Sequence, residues 1–212
     1  MKLHSDSFEH RGTMPLRFAA GKPEAGTDSY EFGDNHNPHL SWTNVPEGTR
    51  SLVLIAVDPD VPTHGEMVGR PDIEIPEEQA RMEFTHWVVI DMDPATREIV
   101  ERAHCNGVTP RGKDETAGPG DGRQGLNDYT GWFAKDKDMA GDWFGYDGPF
   151  PPPNDRRLHR YFFRLFALDV SRLKLSNRFT AADVHNAMRG HILAEDAIYA
   201  TYSLHPELHQ AL

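Results

Sequence analysis

The chain has 212 residues, 38% of them hydrophobic and 26% charged, with 18 Gly, 16 Pro and one cysteine. A chain of this length buries roughly 70% of its unfolded surface and needs no disulfide or metal staple, and the lone Cys105 excludes an intrachain disulfide or a multi-cysteine zinc site. Basic residues number 22 against 33 acidic ones, a net charge of −11 that repels nucleic acid and anionic lipid surfaces.

The residues closest to a basic stripe, Arg156, Arg157, Arg160 and Arg164, are too few to reverse that balance. The first residues, MKLHSD, form no apolar h-region, and the longest apolar run is the six residues 52–57. This pattern predicts no signal peptide, no stable membrane insertion and a soluble cytoplasmic protein.

Taken in chain order, residues 1–50 read as loop-rich, with a strand at 16–19 and turn signals at 21–23 and 35–38. Residues 51–58 (SLVLIAVD) form a continuous apolar run whose β-branching predicts a strand buried on both faces. Residues 86–91 (HWVVID), 160–169 (RYFFRLFALD) and 198–204 (IYATYSL) predict three more strands. Residues 63–81 and 127–146 read as long surface loops inserted between them, with no domain boundary at either, so 1–212 is expected to be one domain. Thr180 followed by Asp183 predicts the N-terminus of a helix that continues through Val184, Ala187, Met188 and His191, with Gly190 near its end. Strands through the middle and a helix late in the chain predict a mostly β (α+β) fold.

Three segments carry possible chemistry. In Asp58-Pro59-Asp60-Val61-Pro62 the two carboxylates are two residues apart on a backbone stiffened by proline, and regular alternation turns both toward one pocket. Read alone, the motif is also a strand end with turn residues. His86 opens the second strand, where a lone histidine is commonly a packed core residue. Gly148-Pro149-Phe150 and three further prolines form a rigid loop leading to His159 and Tyr161, which share a strand face. In this loop Gly148 lets the backbone approach a ligand closely.

Together these residues suit a phosphate-type anion, gripped by His86 and His159 with Tyr161 and a backbone N–H donating. Two histidines of ordinary pKa near 6.5 would gain charge between about pH 8 and 6 and tighten that grip. The same set also fits a two-histidine, one-carboxylate metal site, although no HExxH-like spacing promotes it. The aromatics of 127–146 either pack on the sheet as a satellite cluster or place Trp143, Phe144 and Tyr146 as a wall beside the pocket. In the second case Asp147 or Asp60 adds negative charge for an ammonium group.

The ordered runs DPDVP (58–62), THWVVID (85–91), GPFPPP (148–153) and LHRYFFRLFALD (158–169) resemble the phosphatidylethanolamine-binding protein family, in its bacterial Raf-kinase-inhibitor-like branch. The opening MKLHSDSF, the segment 37–62 and GHILAEDAIYATY (190–202) are similar to the same branch. This resemblance implies a central antiparallel sheet, a smaller second sheet, a few peripheral helices and a small anion pocket. Carried over by motif, the pocket residues are Asp58, Asp60, His86, Gly148, Pro149, His159 and Tyr161. The lengthened 63–81 connection, Thr85 and the enlarged loop before Gly148 depart from the family pattern and lie at the pocket rim.

The expected function is therefore a non-enzymatic binder of a small phosphate-type anion or phospho-headgroup, without cofactor or metal. Two alternatives stand beside it: a regulator that inhibits a kinase or protease through protein contacts, and a metal-dependent or hydrolytic enzyme using the same His/Asp set. A homodimer is compatible with either binding role, and nucleic acid is not an expected partner.

Overall fold

Residues 52–57 carry six consecutive apolar side chains, and all six are buried. A strand achieves this only when both of its faces are covered. In the computed structural model, which describes residues 1–27, 29–114 and 117–209, the run lies in the middle strand of the largest sheet. The described strands are β1 (Lys2–His4), β2 (Gly21–Pro23), β3 (Tyr30–Phe32), β4 (Leu40–Thr43) and β5 (Ser51–Pro62), followed by β6 (Arg81–Met92), β7 (Glu98–Ile99), β8 (Arg123–Gln124), β9 (His159–Leu168) and β10 (Ile192–Tyr202).

Five strands form the central sheet in the order β10-β9-β5-β6-β8, every neighbouring pair antiparallel. A three-stranded sheet, β1-β4-β7, and the two-stranded β2-β3 complete the β structure. Leu52, Leu54 and Ala56 face one core cluster, which the small sheet covers with Leu3, Leu40, Trp42 and Ile99. Val53, Ile55 and Val57 face the other, covered by Leu173, Phe179, Val184 and Met188. The mostly β architecture expected from the sequence is the one observed.

The late helix, α2 (Ala181–Ala187), starts as expected. Thr180 Oγ1 accepts from the Asp183 amide while the Asp183 carboxylate accepts from the Thr180 amide, satisfying two donors that helix geometry leaves free. Two short helices flank it in the chain, α1 (Tyr129–Trp132) and α3 (Pro206–His209). No helix among the described residues is long and apolar enough to cross a membrane.

Two local expectations are corrected. Residues 16–19 form no strand; Leu16–Phe18 is a 3₁₀ turn in which the Phe18 amide donates to the Pro15 carbonyl. Its apolar residues include a buried Phe18, but no neighbouring strand lies in register to build a ladder. Conversely, Gly21–Pro23, read as a turn, is strand β2 paired with β3. Gly21 is needed there for packing, because a Cβ would overlap the Phe150 ring.

The two long connections are held down. The Asn154 side chain donates to the Met67 and Ile73 carbonyls, each at 2.8 Å, and accepts from the Gly69 amide, clamping the loop after β5. The 127–146 segment is not a surface loop throughout. Tyr129, Met139 and Trp143 form a third buried cluster, and Tyr146 joins the main core, its hydroxyl donating to the Phe18 carbonyl.

Candidate functional site

A cavity of about 630 Å³ opens where the end of β5 and the beginnings of β6 and β9 meet. Asp58, His86, His159 and Tyr161 form its polar floor. Its walls are largely apolar: Phe84, Tyr129, Trp132 and Phe133 on one part, and Phe32 with residues 150–153 on another.

His159 and Tyr161 share a face because β9 alternates regularly, with Tyr161, Phe163 and Leu165 all in the main core. His86 reaches that face by a different route. Trp87 and Val89 point to the main core, and Val88 and Ile90 to the opposite one. Strict alternation would place His86 with Val88, away from Tyr161. Instead the register slips: Ala56 opposes Trp87 and Val57 opposes Thr85, leaving His86 as the extra residue of a bulge. Its ring consequently lies 5.2 Å from that of Tyr161 and 5.6 Å from that of Tyr129.

His86 is fixed through Asp147. Its Nδ1–H donates to the Asp147 carbonyl at 2.7 Å, and its own carbonyl accepts from the Asp147 amide. A carbonyl only accepts, so the proton sits on Nδ1 and Nε2 is the acceptor of the neutral ring. No described residue hydrogen-bonds to Nε2. Burial pushes the imidazole pKa below its ordinary value, outweighing the pull of Asp58 and of the Asp147 carbonyl. Asp147 is itself held by Lys113 at 2.8 Å, by Asn35 and by Asn127. Asn35 also accepts from the Gly148 amide, tying the proline loop to the same node.

His159 is fully buried and uses both ring nitrogens, Nδ1 on Asp58 at 2.6 Å and Nε2 on Asp155 at 3.1 Å. Burial opposes the charge, but the two carboxylates outweigh it and raise the pKa to about 9. Asp155 in turn accepts from both terminal nitrogens of Arg81. Two acids and two cations thus alternate beneath the cavity. The Tyr161 hydroxyl is different: it is buried and has no hydrogen-bond partner among the described residues. Burial and the charge of Asp58 push its pKa well above the usual phenol value.

A model of the family described as phosphatidylethanolamine-binding protein matches residues 4–203. This chain belongs to the phosphatidylethanolamine-binding protein family. It is 36% identical to a UPF0098 protein of Aquifex aeolicus (strain VF5) over 202 residues, covering 95% of this chain and 88% of that one. It is 32% identical to the UPF0098 protein YbhB of Escherichia coli, covering 96% and 100% of the two chains. Among solved structures, a putative phosphatidylethanolamine-binding protein homologue of Chlamydia trachomatis superposes with a TM-score of 0.63 at 27% identity, over 95% and 96% of the chains. Escherichia coli YbcL, described as a new member of the mammalian family, shares the fold at a TM-score of 0.67 and 22% identity.

Of the seven residues that this family resemblance carries over, four line the cavity and three stand behind it. Asp60 is the clearest departure from the alternation argument. Between Asp58 and Val61 the ladder with β6 contains one extra residue, so the two carboxylates do not point the same way. The Asp60 carboxylate accepts from Arg157 at 2.7 Å and from Arg160 at 2.8 and 2.9 Å. Despite burial, those arginines hold its pKa below the usual carboxylate value. Gly148 serves a close approach as expected, but to protein: a Cβ there would overlap the Phe18 carbonyl. Pro149 lies beside it, its carbonyl accepting from the Ala20 and Gly21 amides.

Two further expectations change. His159 cannot present a nitrogen to a ligand while both are bonded to carboxylates, so it positions Asp58 and does not grip an anion. The aromatic wall exists, but it is made by Tyr129, Trp132 and Phe133, while Trp143 packs behind them and donates to the Met139 carbonyl. Asp147 and Asp60 are both paired with cations and supply no free charge. The family motifs gave no sign of Asp155, of the Lys113–Asp147 node or of the β3 aromatics. Only Asp155, four residues before His159 in the proline loop, was near enough in sequence to suggest a role.

Proposed function

We propose that this chain is a non-enzymatic binding protein whose pocket takes a phosphate-type group, as a free anion or as a phospho-headgroup. The observation that carries this reading is the buried Tyr161 hydroxyl, without a hydrogen-bond partner among the described residues, on the same cavity floor as His86, a donor and an acceptor whose rings lie 5.2 Å apart. A buried polar group without a partner costs about 1–3 kcal/mol, and a bound oxygen removes that cost.

Charge narrows the form of the ligand. No lysine or arginine lines the cavity among the described residues, and His159 is already neutralised by its carboxylates. A doubly charged phosphate would meet Asp58 without a free cation. A singly charged, protonated phosphate suits the floor better: it accepts from Tyr161 and donates to His86 Nε2, or transfers that proton to the ring.

The non-enzymatic part rests on the nucleophiles. No serine, threonine, lysine or cysteine lines the cavity among the described residues. Cys105 lies in the core with its thiol pushed up to about 12, chiefly by burial. Of the four arginines nearest to a basic stripe, Arg156 pairs with Glu74 and Glu207, Arg157 and Arg160 with Asp60, and Arg164 with Glu195. Little cationic surface is left there for nucleic acid.

Calorimetric titration with inorganic phosphate, phosphoethanolamine and phosphocholine tests the reading. Binding of at least one of them, weakened by Tyr161→Phe, is the expected result. No heat from any of the three sinks it, as does steady phosphoester hydrolysis that His86→Ala abolishes.

A further inference from the structure

The cavity is much larger than its polar floor. At about 630 Å³ it falls in the range that encloses a drug-sized ligand, and a phosphate group occupies only a small part of it. The remainder is a trough walled by ring faces. Tyr129 and Phe133 stack nearly parallel at 5.6 Å and 14°, with Phe84 set edge-on against Tyr129. Phe150 and residues 151–153 supply a wall stiffened by proline, and Phe32 stands edge-on to Phe150 at 6.2 Å. At the mouth, Trp132 and Phe32 remain 47% and 50% exposed, among the few large apolar side chains at the surface. Trp132 also marks where the two long connections meet, since a Cβ on Gly65 would lie 3.6 Å from its ring.

We infer that this trough is a subsite for a planar aromatic group, and that the ligand is an aryl phosphomonoester carrying no further negative charge. The inference rests on the reading of the His86–Tyr161 floor as a phosphate site. Flat, rigid walls favour a flat occupant, which stacks in offset or edge-on fashion without losing the rotamer freedom an alkyl chain would lose. Besides Asp58 on the floor, two carboxylates lie along the lining: Glu31, 3.6 Å from Lys22, and Asp136, which accepts from the amides of Asp138 and Met139. They oppose a second phosphate at the rim.

Calorimetry on the full chain with phenyl phosphate, inorganic phosphate, phosphocholine and phosphate-free benzyl alcohol separates the possibilities. Phenyl phosphate should bind about tenfold more tightly than inorganic phosphate, from apolar area removed from water. Trp132→Ala or Phe32→Ala, both at exposed positions, should erase most of that advantage and leave inorganic phosphate unchanged. Equal affinity for phenyl and inorganic phosphate overturns the trough, as does phosphocholine binding more tightly than phenyl phosphate, or an advantage that neither substitution touches. If benzyl alcohol and phenyl phosphate bind with Trp132 dependence while inorganic phosphate does not, the trough stands and the phosphate floor falls. If nothing binds, both fall.

Discussion

Asp58 Oδ2 stands 2.6 Å from Nδ1 of His159, and neither side chain is accessible to solvent to any useful degree. Asp58 Oδ1 meanwhile accepts from the Asp60 amide at 2.8 Å. One carboxylate therefore ties β9 to β5 and sets the bulge that turns Asp60 toward Arg157 and Arg160. The polar floor rests on this pair, and the first prediction concerns its stability.

His159→Ala leaves Asp58 and Asp155 buried with one cation fewer, a defect of about 3–5 kcal/mol. Urea unfolding at pH 7 should register that loss. In the wild type the histidine pKa of about 9 in the fold exceeds its unfolded value of about 6.5. Its contribution is thus complete below about pH 6.5 and is lost as pH rises through 9. Unfolding free energy should fall over that window by up to about 1.4 kcal/mol per pH unit. A wild-type curve parallel to that of His159→Gln across pH 6.5–9.5 would contradict the charged pair.

His86 controls the pH dependence of binding. Its pKa lies below the ordinary value in the free protein, and a neighbouring anion raises it, so binding takes up a proton. Phosphate affinity should increase as pH falls from about 8 to 6, and the apparent enthalpy should vary with the ionisation heat of the buffer. The His86→Gln variant should reduce both effects to what the ionisation of phosphate itself supplies. Affinity that is flat with pH in the wild type would remove His86 from the site.

Tyr161→Phe separates binding from folding. The hydroxyl has no hydrogen-bond partner among the described residues, so removing it should leave the melting temperature unchanged or raise it. Phosphate affinity should drop about tenfold, the worth of one good hydrogen bond. A variant that melts well below the wild type would mean that the hydroxyl is holding the fold.

For Asp60 the opposite pattern is expected. Asp60→Asn weakens the pairing with Arg157 and Arg160, which are partly exposed, and should cost about 1–2 kcal/mol in urea unfolding. Phosphate affinity should stay within about twofold of the wild type, since the side chain is absent from the cavity lining. A tenfold loss of affinity would return Asp60 to the pocket.

Period and composition determined the long strands of the central sheet and the start of the late helix, because burial and capping leave a readable signal: six apolar residues in 52–57, strict alternation in β9, and a capping box at Thr180. The ordered motifs also named the floor residues Asp58, His86, His159 and Tyr161. What those residues do was decided in three dimensions. A bulge brings His86 to the cavity and another removes Asp60, and a one-residue slip leaves no mark in the local pattern because it depends on the partner strand. The charge of His159 depends on Asp155, which packing places against its second nitrogen, and the tautomer of His86 depends on a carbonyl 61 residues away. The aromatic wall passed from Trp143 to Tyr129, Trp132 and Phe133 for the same kind of reason. Sequence tells how many rings a segment must bury, whereas only the packed chain determines which of them face a core and which face a cavity.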